Sequence, residues 1–253
     1  VPPETVSKYA VRVGFRTDRG LVRPLNEDSL LVDDGIFAVC DGMGGHEAGE
    51  VASLMCARIL GAGYREEPDV VTSQRLAEIL DMADSEIRTA IGGSGGTTVS
   101  GLALIDDGAE GDGIQWCVFN VGDSRTYVMS EGKPLTQITR DHSQVQELVE
   151  LGQLTQEQAD VHPRRHVITR ALGTGDTTEA DMWLRPVTGG ERYLVCSDGL
   201  SGEVHGETIN EVLSVIPDPQ TAADRLIQLA IESGGRDNIS VIVLDVESTS
   251  NPE

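Results

Sequence analysis

Ile36-Phe37-Ala38-Val39-Cys40-Asp41-Gly42 is a run of five apolar residues that stops at an acid followed by glycine. So short an unbroken apolar run reads as a strand covered on both faces, because a strand with one wet face would alternate. The pattern returns at Tyr193-Leu194-Val195-Cys196-Ser197-Asp198-Gly199, again a buried strand ending in Asp-Gly. A third strand, Cys117-Val118-Phe119-Asn120-Val121, runs into Gly122-Asp123-Ser124, and Arg236-Asp237-Asn238 directly precedes a last apolar strand. Four carboxylates therefore stand at the ends of apolar strands.

The rest of the chain fits around these strands. From Tyr9, the alternation of Val11, Val13 and Phe15 predicts another strand. A helix is expected over 48–60, stopped near Gly61. In the next, Ser73 is the expected N-cap and Leu76, Ile79, Leu80, Ala83, Ile87 and Ile91 recur at helical spacing until Gly92-Gly93. Strands are expected over 97–105, 115–121, 125–130, 192–197 and 239–246, with connections rich in Gly and Asp.

Between Asp141 and Gly173 the pattern changes to a short helix with Val145, Leu148 and Val149, a capping box at Thr155 and Gln158, and then His162-Pro163-Arg164-Arg165-His166. It reads as an excursion from the sheets. Two helices over 208–216 and 221–233 precede the last strand. Strand runs interrupted by paired helical blocks point to antiparallel sheets with helices packed outside. Residues 1–8 and 248–253 read as loose tails, and no linker divides the chain between them, so a single domain over 9–247 is expected.

Composition narrows the function classes. With 253 residues and 39% hydrophobic content the chain can bury a sizeable core, and 29 glycines against 3 Phe, 4 Tyr and 2 Trp suit sheets better than a helical bundle. A formal net charge of −23 opposes nucleic acid and anionic lipid. Cys40, Cys56, Cys117 and Cys196 have no C-x-x-C spacing and read as buried thiols. With no secretory leader pattern and no apolar stretch of about 18 residues, a cytoplasmic protein without a membrane span is expected.

Any one Asp-Gly is an ordinary turn. Several acids placed against apolar strand ends are different, since partial desolvation is costly unless a partner neutralises them. No run of Lys or Arg is nearby, so the partner chemistry favours is a hard divalent cation, Mg²⁺ or Mn²⁺, with oxygen ligands. His and Cys are too sparse and badly spaced for a closed zinc site. Upstream, Arg23-Pro24-Leu25-Asn26-Glu27-Asp28 sets one guanidinium before two acids, which suits either a surface ion pair or recognition of phosphate.

The ordered series Arg23-x-x-Asn26-Glu27-Asp28, Asp41-Gly42-Met43-Gly44-Gly45-His46, Gly49-Glu50-Val51-Ala52-Ser53, Gly96-Thr97-Thr98, Val121-Gly122-Asp123-Ser124-Arg125, Ser197-Asp198-Gly199-Leu200 and Asp237-Asn238-Ile239 resembles the type 2C, metal-dependent Ser/Thr protein phosphatases (PPM) in their bacterial form. The resemblance implies an α+β fold, a four-layer αββα sandwich of two antiparallel sheets flanked by helices, with 141–172 as a flap beside the active site. It implies two Mn²⁺ or Mg²⁺ ions, with a third, weaker one in bacterial members. By the same resemblance Asp41 bridges both ions and the Gly42 carbonyl binds the first. Asp198 and Asp237 hold the second, Asp123 with Asp198 the third, and Glu27 and Asp28 act through water. Arg23 binds the substrate phosphate.

Such a site hydrolyses phosphoserine and phosphothreonine by attack of an activated water, with no covalent phosphoenzyme. The implied protein is a monomer acting on phosphorylated proteins, among them Ser/Thr kinases and their substrates. One departure concerns the general acid: eukaryotic members carry a His directly after Asp-Gly, where this chain has Met43. His46, three residues on, is open to proton donation or to a solvated or capping role. Arg164, Arg165 and His166 either contact acids of a phosphopeptide or are solvated surface. None of the cysteines has Arg six residues later, and no Walker or G-x-S-x-G motif occurs. Two other readings are a catalytically silent phosphoprotein-binding module of the same fold and a phosphatase dedicated to a sigma-factor regulator.

Overall fold

The computed structural model describes residues 9–44, 48–66, 71–108, 113–175 and 178–248. The expected tails lie outside these residues except Ser248, which ends a strand. One antiparallel sheet runs in the order β1 (Tyr9–Asp18), β11 (Ile239–Ser248), β10 (Arg192–Cys196), β7 (Arg125–Met129) and β8 (Thr136–Gln137). The other runs β2 (Asp28–Asp33), β3 (Ile36–Gly44), β5 (Val99–Asp106), β6 (Ile114–Val121) and β9 (Asp181–Pro186), with β4 (Gly95–Thr97) pairing the end of β3.

The unbroken apolar runs have a simple cause: both faces of the central strands are covered. In β3, Ile36, Ala38 and Cys40 meet α1 (Ala48–Arg65) and α2 (Ser73–Ile91), while Phe37 and Val39 meet the other sheet. In β11, Val241 and Val243 lie under α6 (Gly206–Val215) and α7 (Pro219–Glu232), while Ile242, Leu244 and Val246 face inward. Trp116 and Tyr193, with ring centroids 6.1 Å apart, join the sheets at the centre. The layers are thus helix, sheet, sheet, helix, the expected αββα order. All four cysteines are free and buried. Among the described residues no helix is long and apolar enough to cross a membrane.

Several local expectations are corrected. Helix α1 does not stop at Gly61 but continues to Arg65. Gly61 is there for contact, since a Cβ would stand 2.9 Å from Leu31 Cδ1. The cap of α2 is Thr72, whose hydroxyl accepts from Arg75 N, so Ser73 is its first helical residue. The strand expected over 97–105 is split at Thr98. The Asp181–Pro186 strand and the one-turn α5 (Asp198–Ser201) were not anticipated. In β1, Val11 and Val13 pack on the inter-sheet core, whereas Phe15 is 45% exposed.

Gly14, on the opposite face of β1, lets α7 lie directly on the sheet. A Cβ there would sit 2.2 Å from Gln220 N and from Pro219 C, and Gln220 bonds Phe15 N through Oε1 and Phe15 O through Nε2, each at 3.1 Å. Backbone cannot yield as a side chain can, so Gly14→Ala is expected to lower stability by about 3 kcal/mol. Urea unfolding of the two proteins, compared at equal slope, measures it.

The flap leaves the sheets after β8. It carries α3 (Gln144–Glu150) and α4 (Gln156–Asp160), and the capping box at Thr155 and Gln158 is present. It returns through a bridge between Leu172 and Thr97, with Gly173 N donating to the buried Asp84 at 2.7 Å.

Candidate metal centre

Both sheets deliver acids to one end of the sandwich. There a cavity of about 550 Å³ is bounded by Arg23, Glu27, Asp41, Asp123, Asp198 and Asp237 among others. Asp41 stands where β3 leaves its pairing with β2, opposite Asp28 in register. Its backbone is fixed from the β4–β5 junction: Thr98 N and Thr97 Oγ1 donate to its carbonyl at 2.9 and 3.0 Å, and its own N–H donates to Thr98 Oγ1 at 3.3 Å. Thr98 Oγ1 in turn lies 2.8 Å from Ser124 Oγ, which ties the Asp123 loop to the same point.

The Gly42 backbone is approached so closely that a Cβ would lie 2.2 Å from Gly49 O and 2.5 Å from Glu27 O. Gly42 N donates to Glu27 O at 3.1 Å, and Ser53 Oγ donates to the same oxygen at 2.5 Å. The Gly49-to-Ser53 motif therefore seats the start of α1 against the acids.

Asn238 organises the other side. Its Oδ1 accepts from Glu27 N at 2.8 Å, and its Nδ2 donates to Arg19 O and Leu25 O at 2.9 and 2.8 Å. The loop bearing Arg23 is thereby strapped to the entrance of β11. Arg23 Nη2 donates to Asp237 Oδ2 at 2.7 Å, so the ion-pair reading and a place on the cavity wall both hold.

The charge balance in this cluster is unfavourable by itself. Burial, with Asp28 and Asp198 nearby, holds the Asp41 carboxyl well above the ordinary carboxylate range. Burial, then Asp198 and Asp141, does the same to Asp123. Asp28 is pushed up to about 7, mainly by burial, although Ser240 and Ser197 hydroxyls oppose the shift. Glu27 is raised by burial. The Asp237 hydrogen bond raises Arg23. Three buried oxygens here, Glu27 Oε1, Asp28 Oδ1 and Asp123 Oδ1, have no hydrogen-bond partner.

Buried anions without donors are costly, and a divalent cation answers both deficits at once. All the side-chain donors are oxygens, which suits Mg²⁺ or Mn²⁺. Among the described residues no three acids, histidines or cysteines already converge as a closed ligand shell. Mg²⁺ commonly keeps several of its own waters, so acids that line one cavity without closing on a single point fit a hydrated ion. The residues present fit the group.

Of the expected site residues, Arg23, Glu27, Asp41, Gly42, Asp123, Asp198 and Asp237 line the one cavity. Asp28 does not; it lies behind Asp41, 8% exposed, and accepts from Ser197 Oγ at 2.9 Å. His46 falls outside the described residues. From the flap, Arg165 and His166 reach the cavity wall, with His166 Nδ1 3.6 Å from Asp198 Oδ2. The strapping by Asn238, the Ser197 support of Asp28 and the Arg236–Glu203 fork at the rim, two contacts of 2.7 Å, were not read from sequence. Only the motif positions of Ser197 and Asn238 hinted at them.

A four-layer αββα sandwich with an acid-lined cavity across the ends of both sheets defines the class of metal-dependent protein phosphatases. The chain belongs to the protein phosphatase 2C family, which it matches over residues 10–188. It is similar to the serine/threonine protein phosphatase PstP of Mycobacterium tuberculosis, 40% identical over 246 residues; the match covers 93% of this chain but 45% of that protein. The serine/threonine phosphatase stp of Listeria monocytogenes is 34% identical over 250 residues, covering 93% of this chain and 96% of that one. In solved structures, M. tuberculosis PstP/Ppp superposes with a TM-score of 0.85 at 40% identity, covering 94% of this chain and 99% of that chain. The PstP catalytic domain in complex with two manganese ions gives 0.84 at 38%, covering 95% and 100%.

Proposed function

We propose that this chain is a Mn²⁺- or Mg²⁺-dependent phosphatase that hydrolyses phosphoserine and phosphothreonine in proteins, with residues 9–247 as its catalytic unit. The observation that carries the reading is the meeting of Asp41, Asp123, Asp198 and Asp237 with Arg23 around one cavity. Asp41 and the Gly42 carbonyl, with Asp198 and Asp237, would hold two ions, and Asp123 with Asp198 would offer a place for a third. When bound, these ions supply Lewis acidity to the phosphoryl oxygens and lower the pKa of water for in-line attack.

The protein's own groups do the rest. Arg23 orients the phosphate; its guanidinium has five donors, of which Asp237 takes one. Thr97 and Thr98 hold the Asp41 backbone still, and Asn238 fixes the Arg23 loop, so little reorganisation accompanies reaction. Glu27 acts from the cavity wall as an outer acid through water, and Asp28, behind Asp41, has its Oδ1 without a protein partner for the same use. His46 is a candidate proton donor to the leaving hydroxyl. The substrates in view are phosphorylated proteins, Ser/Thr kinases among them, met by a monomer in the cytoplasm. Free, buried thiols are consistent with a reducing compartment.

The test is turnover. Purified protein loaded with Mn²⁺ is expected to hydrolyse an aryl phosphate and phosphothreonine peptides, and chelation by EDTA is expected to stop both. Protein that takes up Mn²⁺ in calorimetry yet leaves every such substrate intact would be a binding module instead.

A further inference from the structure

Helix α2 buries Leu76, Ile79, Leu80, Ala83 and Ile87 in the core, and with them one acid, Asp84. At 1% exposure it lies deeper than Asp28, Asp123 or Glu191, and it is no part of the metal cavity wall. Burying a carboxylate is costly, and an apolar side chain would serve packing there as well. What Asp84 holds is backbone: its Oδ1 accepts from Gly173 N at 2.7 Å, while its Oδ2 accepts from Arg88 Nη2 one turn on. The segment so held has no slack. On one side Gly173, at φ +83°, lies so close to α2 that a Cβ would stand 2.4 Å from Ile87 Cγ2; on the other, a Cβ on Gly96 would stand 2.5 Å from Leu172 O.

We propose that Asp84 is a positioning residue for the metal centre, fixing the backbone of Asp41 through Gly173, Leu172 and Thr97. The inference rests on the phosphatase reading, in which Asp41 is a ligand shared by two ions. Leu172, next to Gly173, is bonded to Thr97 in both directions: Leu172 N donates to Thr97 O at 2.9 Å and Thr97 N to Leu172 O at 3.0 Å. Thr97 Oγ1 in turn donates to Asp41 O at 3.0 Å, beside Thr98 N at 2.9 Å. Leu172 and Thr97 are fully buried, so solvent does not replace a bond lost between them. Without the Asp84 carboxylate, Gly173 N has no acceptor, the segment is released from α2, and Thr97 moves with it. A metal site tolerates displacement of only about 0.5 Å. Arg23 is strapped by Asn238 from the other side and stands outside this relay, so phosphate binding is spared while metal binding weakens.

The experiment titrates Mn²⁺ into the wild type, Asp84→Ala, Asp84→Asn and Leu226→Ala in a calorimeter and measures aryl phosphate turnover of each at saturating Mn²⁺. Asp84→Ala is expected to bind Mn²⁺ about tenfold more weakly and to lose about tenfold in kcat, with KM for the aryl phosphate within about twofold of the wild type. Asp84→Asn keeps an oxygen acceptor for Gly173 N, and Arg88, whose side chain is 34% exposed, is free to turn to water. It is expected to recover affinity and kcat to within about threefold. Leu226→Ala opens a hole in the core beneath the other sheet, so it lowers stability without touching the relay and is expected to keep wild-type Mn²⁺ affinity. Asp84→Ser, polar but too short to replace the carboxylate, guards against the alanine variant failing to fold. Wild-type affinity and kcat in either short variant, an equal loss in Leu226→Ala, an asparagine variant as impaired as alanine, or failure of both short variants to fold overturns the positioning role alone. Absence of aryl phosphate hydrolysis in the wild type overturns the phosphatase reading itself.

Discussion

Asp41→Asn is expected to reduce phosphatase activity by at least about 1,000-fold while leaving the metal-free protein more stable than the wild type. The first effect follows from position. Asp41 opens onto the cavity that acids from both sheets line, and the role proposed for it is that of a ligand shared by two cations. Metal-derived stabilisation of transition-state charge amounts to several kcal/mol, and each 1.36 kcal/mol is a factor of about ten.

The second effect separates a lost ligand from a damaged fold. Asparagine has the same shape, and the bonds that fix this residue run through its backbone to Thr97 and Thr98, so the fold has no reason to shift. What disappears is the cost of either protonating or ionising a buried carboxyl whose charge Asp28, Asp198, Asp123 and Asp237 all oppose. Thermal unfolding in EDTA and aryl phosphate turnover in Mn²⁺, run on the same two proteins, measure both effects. An active variant, or an inactive one that is also destabilised without metal, removes Asp41 from the role given to it.

The parts of this molecule that could be read from sequence are those whose cause is local. The strand Ile36–Gly44 announces itself because five successive side chains must all be buried, and both of its faces are. The Thr155 capping box is legible because its two hydrogen bonds close within four residues. Asp181–Pro186 is not, because it is an edge strand with much of its surface wet and no clean alternation. Gly61 looks like a stop in the sequence because its reason lies on another element, the Leu31 side chain of β2.

The site divides in the same way. Each acid could be picked out at a strand end, but the straps between them span great lengths of chain. Asn238 reaches back 211 residues to Glu27, and Ser197 reaches 169 to Asp28. No periodicity reports such a bond. A cavity beside the flap is further still from sequence, since α3, α4 and the segment between α5 and α6 line it together.

A second large effect concerns stability, and its sign follows from the raised carboxyls. Asp28 titrates at about 7 in the folded protein against 3.8 when free, and Asp41 and Asp123 are shifted the same way. Between those values the folded state binds protons that the unfolded chain has released, so folding stability falls as pH rises and levels off above the folded values. Asp28 alone is worth a few kcal/mol by this route. For a chain of this size about 1 kcal/mol corresponds to 2–4 °C in Tm, so the EDTA-treated protein is expected to lose about 10 °C between pH 5 and pH 8.

His142 pulls the other way. Burial lowers its pKa, so it contributes stability that is lost as pH falls below the free histidine value of 6.5. Its ring is held outside the metal cavity lining, with Nδ1 accepting from Gly122 N at 3.1 Å and Nε2 3.2 Å from Asp181 Oδ2. Saturating Mn²⁺ leaves that contribution in place and neutralises the acids. The gap between Tm with Mn²⁺ and Tm with EDTA therefore cancels His142 and isolates the cluster. That gap is expected to widen steadily from pH 5 to pH 8, because only ionised carboxylates repel one another and only they bind the cation. A gap that stays constant over this range, or narrows, means that the buried acids do not titrate together and that no cation is needed to hold them.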